Sequence, residues 1–271
     1  MMISVAALQF PLGGEITLED RLHLMRHRPD FICLPEYFFL RPEDQQYSDG
    51  DDRVDAQLAA EAKLSRDLAC AVIGGTIAHP VPGGHANIST IFNRGEQIGS
   101  YQKVNPYGRE EKRGVIAGTK FKVFEVDGVR AGVLICADVM RIESFARMAA
   151  LAADVIFVPT VSPYREGDTF YDKDRRDNAI FITGAQKANA FVVKTCAVGT
   201  LFGSRLQGRS GIFAPWGTLQ RVPPDEEQRK QILFEYLDIA EIREFRRMMS
   251  REELDKNPAP GMADISHIAS V

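Results

Sequence analysis

FKVFEVDGVRAGVLICAD, residues 121–138, is the stretch from which the architecture can be read. Two apolar runs, Phe121 to Val126 and Val129 to Ile135, flank Asp127-Gly128. A tight two-residue turn needs positive φ at both central positions, which Asp and Gly tolerate, so the stretch predicts a β-hairpin. The second run stops at Cys136 and turns polar at Ala137-Asp138, ahead of a helical stretch from Glu143 to Ala153. A thiol at such a strand end is either a small core hydrophobe or a nucleophile at a strand-to-helix elbow. In the second case the helix N-terminus beyond it lowers the thiol pKa from its ordinary value of about 8.5.

Working outward, strand patterns recur at Ile3 to Gln9, Phe31 to Leu34, Cys70 to Ala78, Asp154 to Val158, Ala190 to Ala197 and Ile232 to Leu237. Asn87 to Asn93 and Gln97 to Lys103 flank the turn Asn93-Arg94-Gly95-Glu96. Ser210 to Ala214 and Thr218 to Arg221 bracket Pro215-Trp216-Gly217; both pairs predict hairpins. Helical periods fall near Leu18 to Met25 and at Arg53 to Ala69, Asp172 to Asn189 and Ile239 to Met249. Strands alternating with helices, with hairpins between them, predict one layered α/β domain with a mixed sheet. The domain is expected over residues 1–250 and a C-terminal tail over 251–271, where prolines, a glycine and no sustained period occur.

Composition narrows the function. Of 271 residues 45% are hydrophobic and 26% charged, the balance of a soluble globular chain. The formal net charge of −4, with no long basic run, argues against nucleic acid as the main partner. No window is apolar for long enough to cross a membrane, and Met1 to Phe10 reads as a first strand, not a signal peptide. Cys33, Cys70, Cys136 and Cys196 are scattered without a CxxC, so a cytoplasmic protein without disulfides is expected. His23 and His27, and His79 and His85, lack the partners and spacing of a metal site, so no metal is expected.

Two further strand ends carry candidate chemistry. Glu36 follows Ile32-Cys33-Leu34-Pro35 at a sheet edge, where open α/β folds bind ligands; the alternative is a solvated loop glutamate. Lys103 closes the strand of Tyr101-Gln102, and by itself reads equally as a solvated lysine.

Taken in order, Glu36, Lys103 and Cys136 resemble the Glu–Lys–Cys triad of the nitrilase (carbon–nitrogen hydrolase) superfamily. The resemblance runs from about Ile3 to Arg246. It rests on Val5 to Phe10, Leu34-Pro35-Glu36, Tyr101-Gln102-Lys103, Gly132 to Asp138, Asp154 to Thr160, and Gly208-Arg209-Ser210 through Pro215-Trp216-Gly217. It implies a single-domain αββα sandwich with mixed sheets and a homodimer or higher homo-oligomer. The helices near Cys136 and in the Asp172 to Asn189 region are the implied interface; Phe145, Met148, Ala149 and Ala152 suit that or equally the core. A second glutamate follows the lysine in this family; Glu111 is the better match and Glu110 its neighbour. Asn105 stands where many members have His, Ala137 where many have an aromatic, and Met140-Arg141-Ile142 where an Arg–aromatic–Pro run is usual. Positions bordering the pocket in relatives make Asn105, Ala137, Arg141, Thr160 and Arg165 substrate-binding candidates.

The implied activity is hydrolysis of a small amide or N-carbamoyl compound through a Cys136 thioester, without a cofactor. Glu36 acts as base, Lys103 and the Ala137 N–H hold the oxyanion, and Glu111 steadies Lys103. Nitrile-hydrolysing members usually carry Trp-Glu after the cysteine, so Ala137-Asp138 favours amides. The competing readings are a nitrile-hydrolysing member, a catalytically silent binding protein, against which the intact triad argues, and a glutaminase unit working with a synthetase. Arg109, Arg113, Arg141 and Arg165 fall on loops expected to border the site. They either bind an anionic substrate group or pair with Glu110, Glu143, Glu166 and Asp168.

Overall fold

The structure, a computed structural model, describes residues 1–249; the tail expected at 251–271 lies outside the described residues. The first half runs β1 (Met2–Gln9), α1 (Leu18–His27), β2 (Phe31–Cys33), α2 (Val54–Asp67), β3 (Ala71–Ile73), β4 (Ile77–Val81), β5 (Gly84–Asn93), β6 (Glu96–Gln102) and α3 (Gly108–Lys112). The second runs β7 (Val123–Val126), β8 (Val129–Val133), α4 (Ile142–Ala150), β9 (Val155–Thr160), α5 (Phe170–Asp177), α6 (Thr183–Ala188) and β10 (Phe191–Cys196). It closes with β11 (Thr200–Leu201), β12 (Ser204–Arg205), β13 (Gly211–Ala214), β14 (Gly217–Arg221), β15 (Gln231–Asp238) and α7 (Ile239–Met248).

One sheet has the order β15-β1-β2-β3-β5-β4, with β6 paired to β5; the other runs β14-β13-β10-β9-β8-β7. Both are mixed: β1, β2 and β3 are parallel, as are β8, β9 and β10, and hairpins extend them antiparallel. Side chains alternate across each strand. Val5 and Ala7 of β1 meet Val155 and Phe157 of β9 in a core between the sheets, where Phe31 and Phe157 stack at 5.4 Å. Ala6 and Leu8 face the other way, toward Leu24 of α1 and Leu64 of α2. Ile156 and Val158 pack under Phe145 and Met148 of α4 and Ala185 of α6. Strands buried on both faces explain the unbroken apolar runs. The four layers of the αββα sandwich are therefore complete within one chain, and Phe145 and Met148, considered for a subunit interface, lie in its own core.

The turn of Asp127-Gly128 is as expected, with φ of 49° and 80° between paired Val126 and Val129. Cys70 to Ala78 is not one strand. It breaks after Ile73, and Gly75 beyond it packs so closely on the chain that an added Cβ would lie 2.3 Å from the carbonyl oxygen of Pro35. The chain leaves β3 there and returns as β4, forming an unforeseen hairpin with β5. The helix expected at Asp172 to Asn189 is interrupted by a π turn, Asn178–Ile182, a feature often found beside functional sites.

Candidate active site

Three chain segments leave the sheets at one place. Beyond β2, the Leu34 N–H donates to Ile73 O at 3.0 Å and the Tyr37 N–H to Thr76 Oγ1 at 3.0 Å, with Gly75 packed on Pro35. Glu36 is held between these anchors and is fully buried. Beyond β6, the Lys103 backbone donates to Asn87 O at 2.9 Å and accepts from Gly118 at 2.7 Å. Beyond β8, Leu134 is still bonded to Phe157 O, and Cys136 then takes φ +44° to open a 3₁₀ turn, Cys136–Met140. Positive φ is strained for a residue with a Cβ, and such strain collects at functional sites.

The side chains meet in a buried network. Lys103 Nζ donates to Glu36 Oε1 at 2.8 Å and to Glu110 Oε2 at 2.6 Å. Asn87 Nδ2 donates to Glu36 Oε1 at 2.9 Å and lies within reach of Tyr37 and Glu110, while the Tyr37 hydroxyl donates to Glu110 Oε1 at 2.7 Å. Glu36 Oε2 accepts from the Val161 N–H at 2.9 Å. Cys136 Sγ is 3.3 Å from Val161 O and within hydrogen-bond reach of Glu36.

Burial raises the Glu36 carboxyl above its ordinary value, with the Glu110 charge adding to it and Lys103 opposing. Burial likewise disfavours charge on Glu110, but Lys103 and the hydrogen bonds to Tyr107 N–H and Tyr37 hold it below the usual range. Burial works against the Lys103 ammonium too; the surrounding anions, Glu36 first, more than offset this and keep it protonated. Burial, then the facing Glu36, pushes the Cys136 thiol well above its ordinary value. This overturns the expected lowering. The helix on which that expectation relied, α4, begins only at Ile142, beyond the 3₁₀ turn that Cys136 opens.

Cys136 opens onto a cavity of about 610 Å³, also lined by Glu36, Lys103, Ala137, Thr160 and Arg165. Other expectations need correction. Glu111 is exposed, and Glu110, one residue earlier on α3, is the glutamate at Lys103. Asn105 is not at the cavity wall; its side chain donates to Asp138 Oδ1 at 3.0 Å. Arg141 is exposed ahead of α4 and does not line the cavity, whereas Arg109 and Arg113 do. Arg113 lies over the Phe202 ring at 4.4 Å. Asp168 pairs with Arg176. Sequence reading passed over Asn87 and Tyr37, whose roles depend on the β4–β5 hairpin and the left-handed Tyr37 backbone (φ +53°). His27 stacks on Phe234 with His23 tilted against the same ring, and no group of three metal-binding side chains occurs among the described residues. No helix among them is long and apolar enough to cross a membrane.

Residues 20–247 match the carbon-nitrogen hydrolase family. A "hydrolase in pqqF 5'region" of Pseudomonas protegens is 29% identical over 147 residues, covering 50% of this chain and 50% of that protein. A glutamine-dependent NAD(+) synthetase of Xylella fastidiosa is 25% identical over 217 residues, 73% of this chain and 38% of the synthetase. The chain thus spans half or less of the length of these curated relatives. Among solved structures, a carbon-nitrogen hydrolase from Helicobacter pylori G27 superposes with a TM-score of 0.78 at 20% identity, covering 95% of this chain and 98% of that one. A nitrilase-superfamily amidase from Nesterenkonia AN1 gives 0.71 at 21% identity, covering 94% and 97%. By the family match across most of its length and by its fold, the chain belongs to the carbon–nitrogen hydrolases of the nitrilase superfamily.

Proposed function

We propose that the chain is a thiol amidase in which Cys136, Glu36 and Lys103 hydrolyse a small amide. The observation that carries this is the Cys136 sulfur within hydrogen-bond reach of the buried Glu36 carboxylate, which is itself bonded to Lys103 Nζ at 2.8 Å. Burial and the facing Glu36 disfavour the thiolate, so attack needs a base, and Glu36 is the group within reach. Glu36 takes the Cys136 proton as sulfur bonds to the carbonyl carbon, and the carbonyl π pair moves to oxygen.

Lys103 already gives N–H bonds to Glu36 and Glu110. An ammonium has three donors, so the last is free for the oxyanion. The Ala137 N–H, in the first turn of a 3₁₀ helix where amides lack helical partners, is the second donor. The tetrahedral intermediate collapses and breaks the carbon–nitrogen bond. The nitrogen takes the proton from Glu36 and leaves as ammonia or an amine. Water then gives a proton to Glu36 and attacks the thioester; its collapse releases the acid, and the sulfur recovers the proton. Glu110, held by Tyr37 and the Tyr107 N–H, fixes Lys103 throughout.

The test is ammonia release from a panel of small amides, with intact-mass detection of an acyl adduct on Cys136. Turnover that survives Cys136→Ala sinks the proposal.

A further inference from the structure

The cavity wall away from the sulfur carries charge that the reaction above does not use. Lys194 on β10 and Arg209, just ahead of β13, both turn to Asp177 at the end of α5. Lys194 Nζ is 2.9 Å and Arg209 Nη2 3.5 Å from the same oxygen, Asp177 Oδ1. All three are buried; Arg209 is 7% exposed. Two cations therefore share one carboxylate oxygen, and Arg209 Nε and Nη1 have no hydrogen-bond partner.

A buried guanidinium with unmet N–H groups is costly, and such a deficit in a cavity wall marks the place where a ligand completes the bonding. Arg176 lines the same wall. Burial pulls its pKa down, and the nearby Arg165 and Arg209 add to this although Asp168 opposes it. The local excess is thus positive, and the fork of Arg209 suits a planar carboxylate. In register, Lys194 pairs with Val158, and Val161, whose carbonyl meets the Cys136 sulfur, lies three residues further on. At about 3.3 Å per residue this is a backbone separation of roughly 10 Å along the strand, a distance that a basic side chain and a short acyl chain together cover.

We propose that Arg209 and Lys194 form a carboxylate-binding subsite, and that the substrate is an amide bearing a carboxylate at the end remote from the scissile bond. The substrate class rests on the amidase reading; the subsite itself does not. It also relocates the expected anion contact. Of the arginines singled out from the sequence, Arg165 lies near Arg176, while the main partners here lie on β10 and before β13.

The experiment compares kcat/KM for monoamides of four-, five- and six-carbon dicarboxylic acids with straight-chain monocarboxylic amides of equal length. At least one acidic member is expected to be preferred roughly 30-fold, the loss typical of leaving a charged partner unmet. Arg209→Gln should bring that ratio toward unity. Indifference to the carboxylate in the unaltered enzyme, or a ratio unchanged by Arg209→Gln, overturns the subsite.

Because Arg209→Gln disturbs a buried ion cluster, a second measurement keeps Arg209 in place: calorimetric titration of the full chain carrying Cys136→Ala with glutarate. Saturable binding that the uncharged diamide of glutaric acid does not share is expected; absence of binding overturns the subsite. If glutarate binds but the unaltered enzyme hydrolyses no amide, the subsite stands and the catalytic reading fails. If acidic and neutral amides are hydrolysed alike, the subsite alone fails.

Discussion

Glu110 and Glu111 are adjacent, and substitution separates their roles. The Glu110 carboxylate accepts from Lys103 Nζ at 2.6 Å, Tyr37 at 2.7 Å, the Tyr107 N–H at 2.8 Å and Asn87 at 3.1 Å. Glu110→Gln keeps the shape, removes the charge and turns one acceptor into a donor facing Lys103 or Tyr37. Removing one partner of a buried ion pair costs about 3 to 5 kcal/mol. With Glu36 still bonded to Lys103 the lower figure applies, and for a chain of this size it means a fall in Tm of roughly 6 to 12 °C. A loosened oxyanion donor costs on the order of 100- to 1000-fold in kcat.

The pH profile distinguishes this role from a purely structural one. Glu36 must be ionised to act as base, so activity is lost as pH falls through its raised pKa. The Glu110 charge helps raise that pKa, so in Glu110→Gln the acidic limb of kcat/KM should move to lower pH. Glu111→Gln, at an exposed position, should leave rate, Tm and limb alone. A Glu110→Gln enzyme within about threefold of the parent in kcat, or a Glu111→Gln enzyme that is the weaker of the two, refutes the assignment.

Iodoacetamide should modify Cys136 before the buried Cys33, Cys70 and Cys196, at a rate still climbing above neutral pH because the thiol pKa is raised. A rate already level near neutrality would show a preformed thiolate. Lys103→Arg should be nearly as damaging as Lys103→Ala, since a planar fork cannot replace an ammonium between Glu36 and Glu110; turnover near that of the parent would reduce Lys103 to a distant charge. Glu61, buried with the Thr90 hydroxyl as partner, has its pKa raised by burial from 4.5 to about 8, so the folded state retains a proton the unfolded state loses and stability falls as pH rises between those values. Glu61→Gln should therefore raise Tm relative to the parent more at about pH 9 than at about pH 5, by up to an upper limit of about 5 kcal/mol in stability; an equal difference at both would refute it.

The layered α/β architecture was legible because its strands are buried on both faces and its hairpins carry Asp-Gly and Arg-Gly turns, features that are local in sequence. The break at Gly74-Gly75 was not, since the close packing of these glycines on Glu61 and Pro35 involves segments far away in the chain. Glu36, Lys103 and Cys136 each end a strand, but strand-end position alone left each of them open; their shared order, matched to the family triad, picked them out, and the structure brings them together in one hydrogen-bonded cluster. Glu110 could not be told from Glu111, because α3 is only five residues long and shows no period from which to read its facing side. Lys194 reads in sequence as an ordinary strand residue and Arg209 only as part of a glycine-flanked strand entry; their pairing depends on Asp177, which the fold brings to them from the end of α5.

The strained Cys136 backbone and the loop after Lys103 are held by a single buried carboxylate. Asp138 Oδ2 accepts from the Ile135 N–H at 2.9 Å and the Tyr101 hydroxyl at 2.8 Å, and Oδ1 from the Asn105 N–H at 2.8 Å and its amide at 3.0 Å. The first bond closes the turn that forces Cys136 to positive φ. The second ties that turn to the strand bearing Lys103, and the last two fix the chain just beyond it. Cys136 and Lys103 follow strands of different sheets, β8 and β6, so packing within one sheet cannot set their separation. A carboxylate bonded to both segments can, and that is why Asn105 turns inward to Asp138 instead of facing the cavity. Asn105 thus serves the geometry of the site from behind it.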